Sequence, residues 1–302
     1  MIQHLILFVR ERFPVVPSLL AAALMAACAD VVGSRLLGRD GVVDLVTAAM
    51  AVVVLALLFI VRGVDELRDL HDDRVAHPER PLPRGAVAVV DVVVAVVVVA
   101  FVAVAVVGVV VGVIAAVAVA VAVLFTVIVQ LDAGITAAAK RPLVTLITHQ
   151  LMVPAWVLLV VLVRCIASDD ITALSASTLP RLWPALLVAS GLSLLFELGR
   201  KVHHVDDENV LDDSYSRAWG ARPAAVIVAV LAMLIMVPVT VVTTRLSTSV
   251  WSLLVPGVAV VWVIGSALSF AAAPRRGGGR AIAMSTALAS LWVYLPLILG
   301  AV

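Results

Sequence analysis

Charged side chains are scarce in this sequence. They make up 14% of its 302 residues, whereas soluble domains carry about 25%. Hydrophobic residues make up 64%, and the mean hydropathy is +1.19. A soluble fold has too little interior to bury so much apolar surface. The chain is therefore predicted to be an integral membrane protein whose apolar surface contacts the lipid bilayer.

Cysteine and net charge are also low, and each excludes a class of protein. The two cysteines, Cys28 and Cys165, lie in or beside apolar runs. They provide neither a disulfide framework nor the spacing of a metal site. The net charge of +1 gives no basis for nucleic-acid binding. Nothing in the sequence indicates the oligomeric state.

Apolar runs long enough to cross a bilayer recur along the whole chain. A spanning helix needs about 20 apolar residues, and the run from 86 to 129 is long enough for two, with the break at Gly108 and Gly112. The predicted spans are roughly 15–34, 42–62, 86–106, 109–129, 143–164, 182–199, 224–245, 250–271 and 281–301. The predicted fold is all-α, a polytopic membrane helical bundle with nine transmembrane helices.

A short interfacial helix is predicted before the first span, over residues 3–13. Leu5, Ile6 and Phe8 are expected on its apolar side.

Basic residues indicate how the chain is oriented. With a cytoplasmic N-terminus, 16 of the 21 Lys and Arg residues fall on the cytoplasmic side. The other side, called the basic-poor face below, holds Arg35, Arg39, Arg164, Arg181 and Arg245. A wrong number of spans would scramble this bias. The positive-inside rule therefore favours nine spans with the N-terminus in the cytoplasm, in the plasma membrane of the cell.

Acidic residues concentrate in two segments on the basic-rich side, 63–85 and 197–223. Both segments end in a glycine and a basic residue before a new apolar span. The pattern predicts one transmembrane domain covering residues 1–302, made of two halves that meet at a single site opening on the cytoplasmic side.

In the first acidic segment, Asp65, Asp69 and Asp73 are spaced four residues apart. On a helix this spacing places the three carboxylates in one stripe along the helix. Their negative charges repel one another unless a cation binds between them. Hard ions such as Mg²⁺ take carboxylate oxygens and leave sites open for phosphate. Arginines that can grip phosphate are interleaved: Arg68, Arg80 and Arg84. A metal–diphosphate site is favoured over a solvated loop that only fixes topology.

The stretch DELRDLHDDRVAHPERPLPRG resembles the first signature of the UbiA superfamily of intramembrane prenyltransferases. That signature is NxxxDxxxD followed by an RPL-type segment and a glycine. Asp69 and Asp73 match its two acids, and Arg80-Pro81-Leu82 and Gly85 match its tail. Asp65 stands where the family usually has asparagine.

Two further stretches extend the resemblance. AKRPLVTLITHQ is similar to the family's Lys-Arg segment before the fifth helix, which implies Lys140 and Arg141 as diphosphate ligands. FELGRKVHHVDDENVLDDSYSRAWG resembles the second signature but lacks a clean DxxxD. The predicted metal ligands there are Glu197 and either Asp206 or Asp207, with Arg200 and Lys201 as diphosphate ligands.

His149 lies early in the fifth predicted span. It is predicted either to act as a base or acceptor-orienting group or to make an interhelical hydrogen bond.

The resemblance implies a Mg²⁺-dependent enzyme that ionises an isoprenyl diphosphate and transfers the prenyl group to a lipophilic acceptor. A UbiA-type terpene cyclase is the alternative within the superfamily, because a double bond of the substrate can attack the cation instead. An ion-coupled transporter is a third reading. Transporter sites lie near the bilayer midplane, whereas these acids lie at the ends of the predicted spans.

Overall fold

The computed structural model describes residues 2–131, 142–208 and 214–302. Helices dominate these residues, and none of them lies in a β-strand. The helices are α1 (Ile2–Arg12), α2 (Val15–Leu36), α3 (Leu45–Arg68), α4 (Leu70–Ala76), α5 (Val89–Val110), α6 (Val113–Gln130), α7 (Pro142–Gln150), α8 (Met152–Ala167), α9 (Trp183–Arg200), α10 (Tyr215–Trp219), α11 (Ala221–Arg245), α12 (Trp251–Ala272) and α13 (Gly278–Ala301). Short 3₁₀ turns cover Ile171–Ala173, Leu179–Leu182 and Val205–Asp207.

The predicted all-α polytopic architecture is confirmed. Within the described residues, 9 helices are long and apolar enough to cross a membrane. The fifth of them, Leu146–Ala167, joins the end of α7 to α8 across a turn at Leu151. The predicted break in the long apolar run lies at Gly112, whose φ of 122° is a conformation that other residues rarely adopt. The cytoplasmic position of the N-terminus stays a prediction.

The chain divides into two compact units. The first comprises Met1–Ala27 and Val43–Ile171, and the second comprises Cys28–Val42 and Thr172–Val302. The acid-rich segment 63–85 belongs to the first unit and the segment 197–223 to the second. Each segment is therefore positioned by the packing of its own unit.

The core of the first unit lies around α3, which packs against α5, α6 and α8. Met50, Val53, Leu57 and Ile60 of α3 are all fully buried. Their spacing of three or four residues places them on one side of the helix. The packed middle of α3 thus supports the acidic residues at its C-terminal end.

Helix α1 contacts this core through its own apolar face. Phe8 is fully buried and meets Phe59 edge to face, with ring centroids 6.0 Å apart. Leu5 packs against the same cluster. Ile6, the third residue expected on the apolar side of α1, is 61% exposed, and its contact with lipid stays a prediction. Successive helical residues are separated by about 100°, so Ile6 points away from the face that carries Leu5 and Phe8.

Asp44 caps the start of α3 in a capping box. Its Oδ1 accepts hydrogen bonds from the N–H groups of Val46 (2.9 Å) and Thr47 (3.2 Å). The Thr47 hydroxyl accepts the N–H of Asp44 at 3.2 Å. Arg164 of α8 donates to both oxygens of Asp44, at 2.7 and 2.8 Å. The hydrogen bond from Arg164 is the main reason that the pKa of Asp44 lies well below its ordinary value.

We expect Asp44→Ala to cost about 1 kcal/mol of stability through the lost cap. Asp44→Asn should retain the cap and lose only the ionic part of the contact with Arg164. Because folding lowers the pKa of Asp44, its charge stabilises the fold above the unfolded pKa, about 3.9. This contribution to stability is lost as the pH falls through the pKa that Asp44 has in the folded protein.

Thermal unfolding in detergent at neutral and acid pH checks this. The difference in thermal midpoint between wild type and Asp44→Asn should become smaller toward acid pH. The difference in midpoint between Asp44→Asn and Asp44→Ala should persist. Identical midpoints for wild type and Asp44→Ala would contradict the capping role.

In the second unit, α9, α11, α12 and α13 pack together. Helices α9 and α13 approach closely at Gly199, where an added Cβ would lie 2.3 Å from the Thr286 Oγ1 atom. At the start of α13, a Cβ on Gly279 would lie 2.1 Å from the carbonyl oxygen of Val202. Small residues allow helices in membranes to approach in this way. This packing fixes the end of α9, where the second acid-rich segment begins.

Candidate functional site

Asp65, Asp69 and Asp73 lie on one helical register in the first unit. Helix α3 ends at Arg68 and α4 begins at Leu70, but the backbone bonds continue across the junction. The N–H of Asp69 donates to the Asp65 carbonyl at 2.9 Å, and the N–H of Asp73 donates to the Asp69 carbonyl at 2.8 Å. The spacing of four residues in the sequence is therefore preserved in the backbone.

Arg68 links two of the three carboxylates. Its Nη2 atom donates to Asp65 Oδ1 at 2.6 Å, and its Nε atom donates to Asp69 Oδ1 at 2.8 Å. Its Nη1 atom donates to the backbone carbonyl of Gln130 at 2.9 Å. One guanidinium thus joins the end of α3 to the end of α6.

Gln130 is a component of the site that sequence reasoning missed. Its Nε2 atom donates to Asp65 Oδ1 at 2.7 Å, and the residue is 2% exposed. Its Oε1 atom is buried and has no hydrogen-bond partner among the described residues. The sequence did contain one sign of this role, which is an amide side chain at the end of the apolar α6. The only other polar residue of α6 is Thr126. A buried amide there requires a partner.

Arg80 and Arg84, the other two diphosphate ligands predicted in the first segment, are also held by acids. Arg80 Nη1 donates to both oxygens of Asp73 at 2.6 Å, and Asp73 is 6% exposed. Arg84 donates to Glu11 of α1 at 2.8 Å and to the Glu79 carbonyl at 2.6 Å. The loop after α4 is thereby tied to the acid stripe at one point and to α1 at another.

Glu66 lies next to the stripe in sequence but in a separate ion-pair cluster. It is 3% exposed and lies 2.6 Å from both Arg12 of α1 and Arg62. Its Oε2 atom and the Nε atom of Arg62 are buried and have no hydrogen-bond partner among the described residues. Arg12 and Glu66 are 54 positions apart, so their spacing in the sequence carried no signal of this contact.

In the second unit, Glu197 lies at the end of α9 between two basic residues. Arg200 Nε donates to it at 2.6 Å, and Lys201 Nζ lies 3.0 Å from its other oxygen. Lys201 also lies over the ring of Tyr215, 5.5 Å from the centroid. The three residues predicted at this helix end are thus neighbours.

Asp206 and Asp207 contact the connection between α12 and α13. Arg276 Nε donates to Asp206 at 3.0 Å, and the N–H of Gly277 donates to Asp207 Oδ2 at 2.7 Å. These partners are 70 residues away in the chain and were not predicted. Both acids therefore anchor a loop, while their role as metal ligands stays a prediction.

Of the remaining predicted residues, the structure describes His149. His149 is half-buried on α7, one residue before the end of that helix. Its role stays a prediction. Lys140 and Arg141 lie outside the described residues.

The first cluster fits Mg²⁺ by the type of its donors. Carboxylate oxygens and amide oxygens are hard ligands, and the buried Oε1 atom of Gln130 lacks a protein partner in the part of the chain that the structure describes. Within that same part, no three Asp, Glu, His or Cys side chains converge closely enough to hold a metal ion. Arg68 and Arg80 instead hold the carboxylates in ion pairs.

Known proteins share this architecture. No family model and no curated protein matches the sequence. A solved UbiA homologue from Aeropyrum pernix K1 superposes with a TM-score of 0.64 at 14% identity, covering 90% of this chain and 96% of that chain. A structure reported for digeranylgeranylglyceryl phosphate synthase in membranes superposes with a TM-score of 0.59 at 14% identity, covering 99% of both chains. The chain therefore has the fold of the UbiA superfamily, as its acid-rich motifs predicted.

Proposed function

We propose that this protein is an intramembrane prenyltransferase that cleaves an isoprenyl diphosphate and transfers the prenyl group to a lipophilic acceptor. One observation supports this most strongly. In a chain with the UbiA fold, the helical register of α3 and α4 carries Asp65, Asp69 and Asp73, with Arg68 and Arg80 on their oxygens. Carboxylates and guanidinium groups are together the donor set that a metal-bound diphosphate requires.

The ion pairs suggest how the first cluster responds to substrate. Diphosphate oxygens compete with carboxylates for guanidinium groups. We propose that Arg68 and Arg80 exchange their carboxylate partners for the diphosphate when substrate binds. The exchange leaves oxygens of Asp65, Asp69 and Asp73 available as metal ligands. These carboxylates would hold Mg²⁺, whose charge would neutralise the negative charge that develops on the leaving diphosphate.

Arg84 has a different local environment from Arg68 and Arg80. Its guanidinium is held by Glu11 and by a backbone carbonyl. We propose that it contributes positive potential to the site while it holds the loop against α1. His149 is proposed to orient the acceptor or accept its proton. The proposed location is the plasma membrane, with the acid-rich segments on the cytoplasmic side.

The test is a product assay with the purified full-length protein in detergent. Isoprenyl diphosphates of several lengths are supplied with Mg²⁺, first alone and then with quinoid, aromatic or sugar-phosphate acceptors. We expect diphosphate release only when an acceptor is present, together with a prenylated product. A cyclic hydrocarbon formed without an acceptor would identify a terpene cyclase instead. Ion flux in proteoliposomes without diphosphate release would contradict both enzymatic readings.

A further inference from the structure

Three arginines that are distant in the sequence line one cavity of about 310 Å³ in the second unit. Arg35 lies in the last turn of α2, Arg181 in the 3₁₀ turn before α9, and Arg245 in the last turn of α11. The lining residues are Arg35, Leu36, Arg181, Arg245 and Leu246. We call this site the arginine cavity.

The positive charge of the arginine cavity is poorly neutralised. No carboxylate lines it among the residues that the structure describes. Asp40 lies 3.9 Å from Arg35, and its side chain is 97% exposed. Arg245 donates to the Arg181 carbonyl at 3.4 Å, and its guanidinium lies 5.7 Å from the centre of the Trp183 ring. Three cations therefore share one recess, and among the described residues the one acid that forms an ion pair with them is solvated.

Neither the membrane orientation of the chain nor the helix dipoles explain why three arginines meet in this cavity. The three arginines are three of only five basic residues on the predicted basic-poor face. Cations are favoured at helix C-termini, which accounts for Arg35 and Arg245 one at a time. It does not account for Arg181, which precedes a helix, or for the meeting of all three. Helix α9 begins at Trp183, 14 residues before Glu197, so about 21 Å of helix separates the start of α9 from Glu197.

We propose that the arginine cavity binds a phosphate group, carried by a phospholipid headgroup or by a small soluble phosphate. Guanidinium groups bind phosphate through paired, charge-assisted hydrogen bonds. The volume suits a headgroup-sized anion, since it lies at the lower end of the range for ligand pockets. Trp183 is 37% exposed beside the cavity, and tryptophan favours the headgroup level of a membrane. This position favours the lipid source.

The test compares phosphate binding by wild type and by an Arg35→Gln/Arg181→Gln double variant. This variant keeps Arg245 on Trp183. Delipidated full-length protein in neutral detergent is titrated with phosphatidylglycerol, with diacylglycerol or with inorganic phosphate at constant ionic strength. Bound lipid is counted by native mass spectrometry, and binding of phosphate is read as a shift in thermal midpoint. The control, Arg39→Gln/Arg222→Gln, removes the same charge from residues that do not line the cavity.

We expect phosphatidylglycerol to bind the double variant about tenfold more weakly or worse, given the usual contribution of a basic residue near an anionic lipid. The control variant should bind it as wild type does, and diacylglycerol should not bind the cavity. If the double variant loses binding of inorganic phosphate but not of phosphatidylglycerol, the site binds a soluble phosphate. Equal binding by wild type and double variant in both titrations overturns the proposal. If the double variant fails to fold, Arg181→Gln alone gives the same comparison, because no described residue bonds to its guanidinium.

Discussion

The Asp69→Asn variant is expected to release diphosphate roughly 100- to 1,000-fold more slowly than wild type. A metal-bound leaving group is stabilised by several kcal/mol, and each 1.36 kcal/mol is about tenfold in rate. Asparagine keeps the shape of the side chain but loses the charge that holds a cation. The fold should be unaffected, because the Asp69 side chain is 44% exposed and its recorded side-chain contacts are to Arg68 alone.

Asp72→Asn is the matched control for this measurement. Asp72 is an exposed acid of α4, three residues from Asp69 and outside the register of four. Diphosphate release is followed with Mg²⁺, an isoprenyl diphosphate and the acceptor identified by the product assay, and thermal midpoints report folding. Wild-type turnover in Asp69→Asn, or an equal loss in Asp72→Asn, would refute the assignment of Asp69 as a ligand. Glu197→Gln, measured in the same way, tests the second acid cluster.

The Glu66→Ala variant is expected to be the most destabilised. Glu66 is almost fully buried between Arg12 and Arg62. Removing one member of a buried ion-pair group leaves uncompensated charge and costs about 3–5 kcal/mol. Two arginines remain unpaired in this variant, and one of them anchors α1. We therefore expect a large fall in thermal midpoint and loosening of α1, which limited proteolysis would detect.

Three comparisons give this prediction its specificity. Glu79→Ala removes a glutamate whose side chain is 71% exposed and should change the midpoint little. Glu66→Gln keeps the volume and part of the hydrogen bonding, so it should fall between Glu66→Ala and wild type. Arg12→Ala should cost less than Glu66→Ala, because Glu66 retains Arg62. A midpoint for Glu66→Ala equal to that of Glu79→Ala would show that the cluster is not a stabilising element.

The transmembrane helices were predictable because each depends on a local property. An apolar run of sufficient length has only one favourable structure in lipid, since every backbone group must be hydrogen-bonded within the segment. The break in the longest run was predictable for an equally local reason. It lies at a glycine, Gly112, which can adopt the positive φ found there. On α1, the apolar residues alone did not show which of them contact the helical bundle: Leu5 and Phe8 do, whereas Ile6 is exposed. The Phe59 contact, which decides that face, comes from another helix.

The site was predictable only in part. The spacing of Asp65, Asp69 and Asp73 is a property of one helix and survived the junction of α3 and α4. Their partners depend on which helices pack together. Gln130 meets Asp65 because α6 packs against α3. No local pattern specifies that neighbour.

The sequence by itself determined that this is a polytopic helical membrane protein with two acid-rich segments, because hydropathy and spacing act within single helices. It predicted nine spans, and the described residues contain 9 helices that are long and apolar enough to cross a membrane. Only the tertiary structure decided which charges are neutralised and by which partners. Glu66 is buried with Arg12 and Arg62. Asp206 and Asp207 bind the connection between α12 and α13. Arg35, Arg181 and Arg245 line one cavity. Electrostatic energy depends on distances between atoms, and those distances are set when helices far apart in the chain pack together.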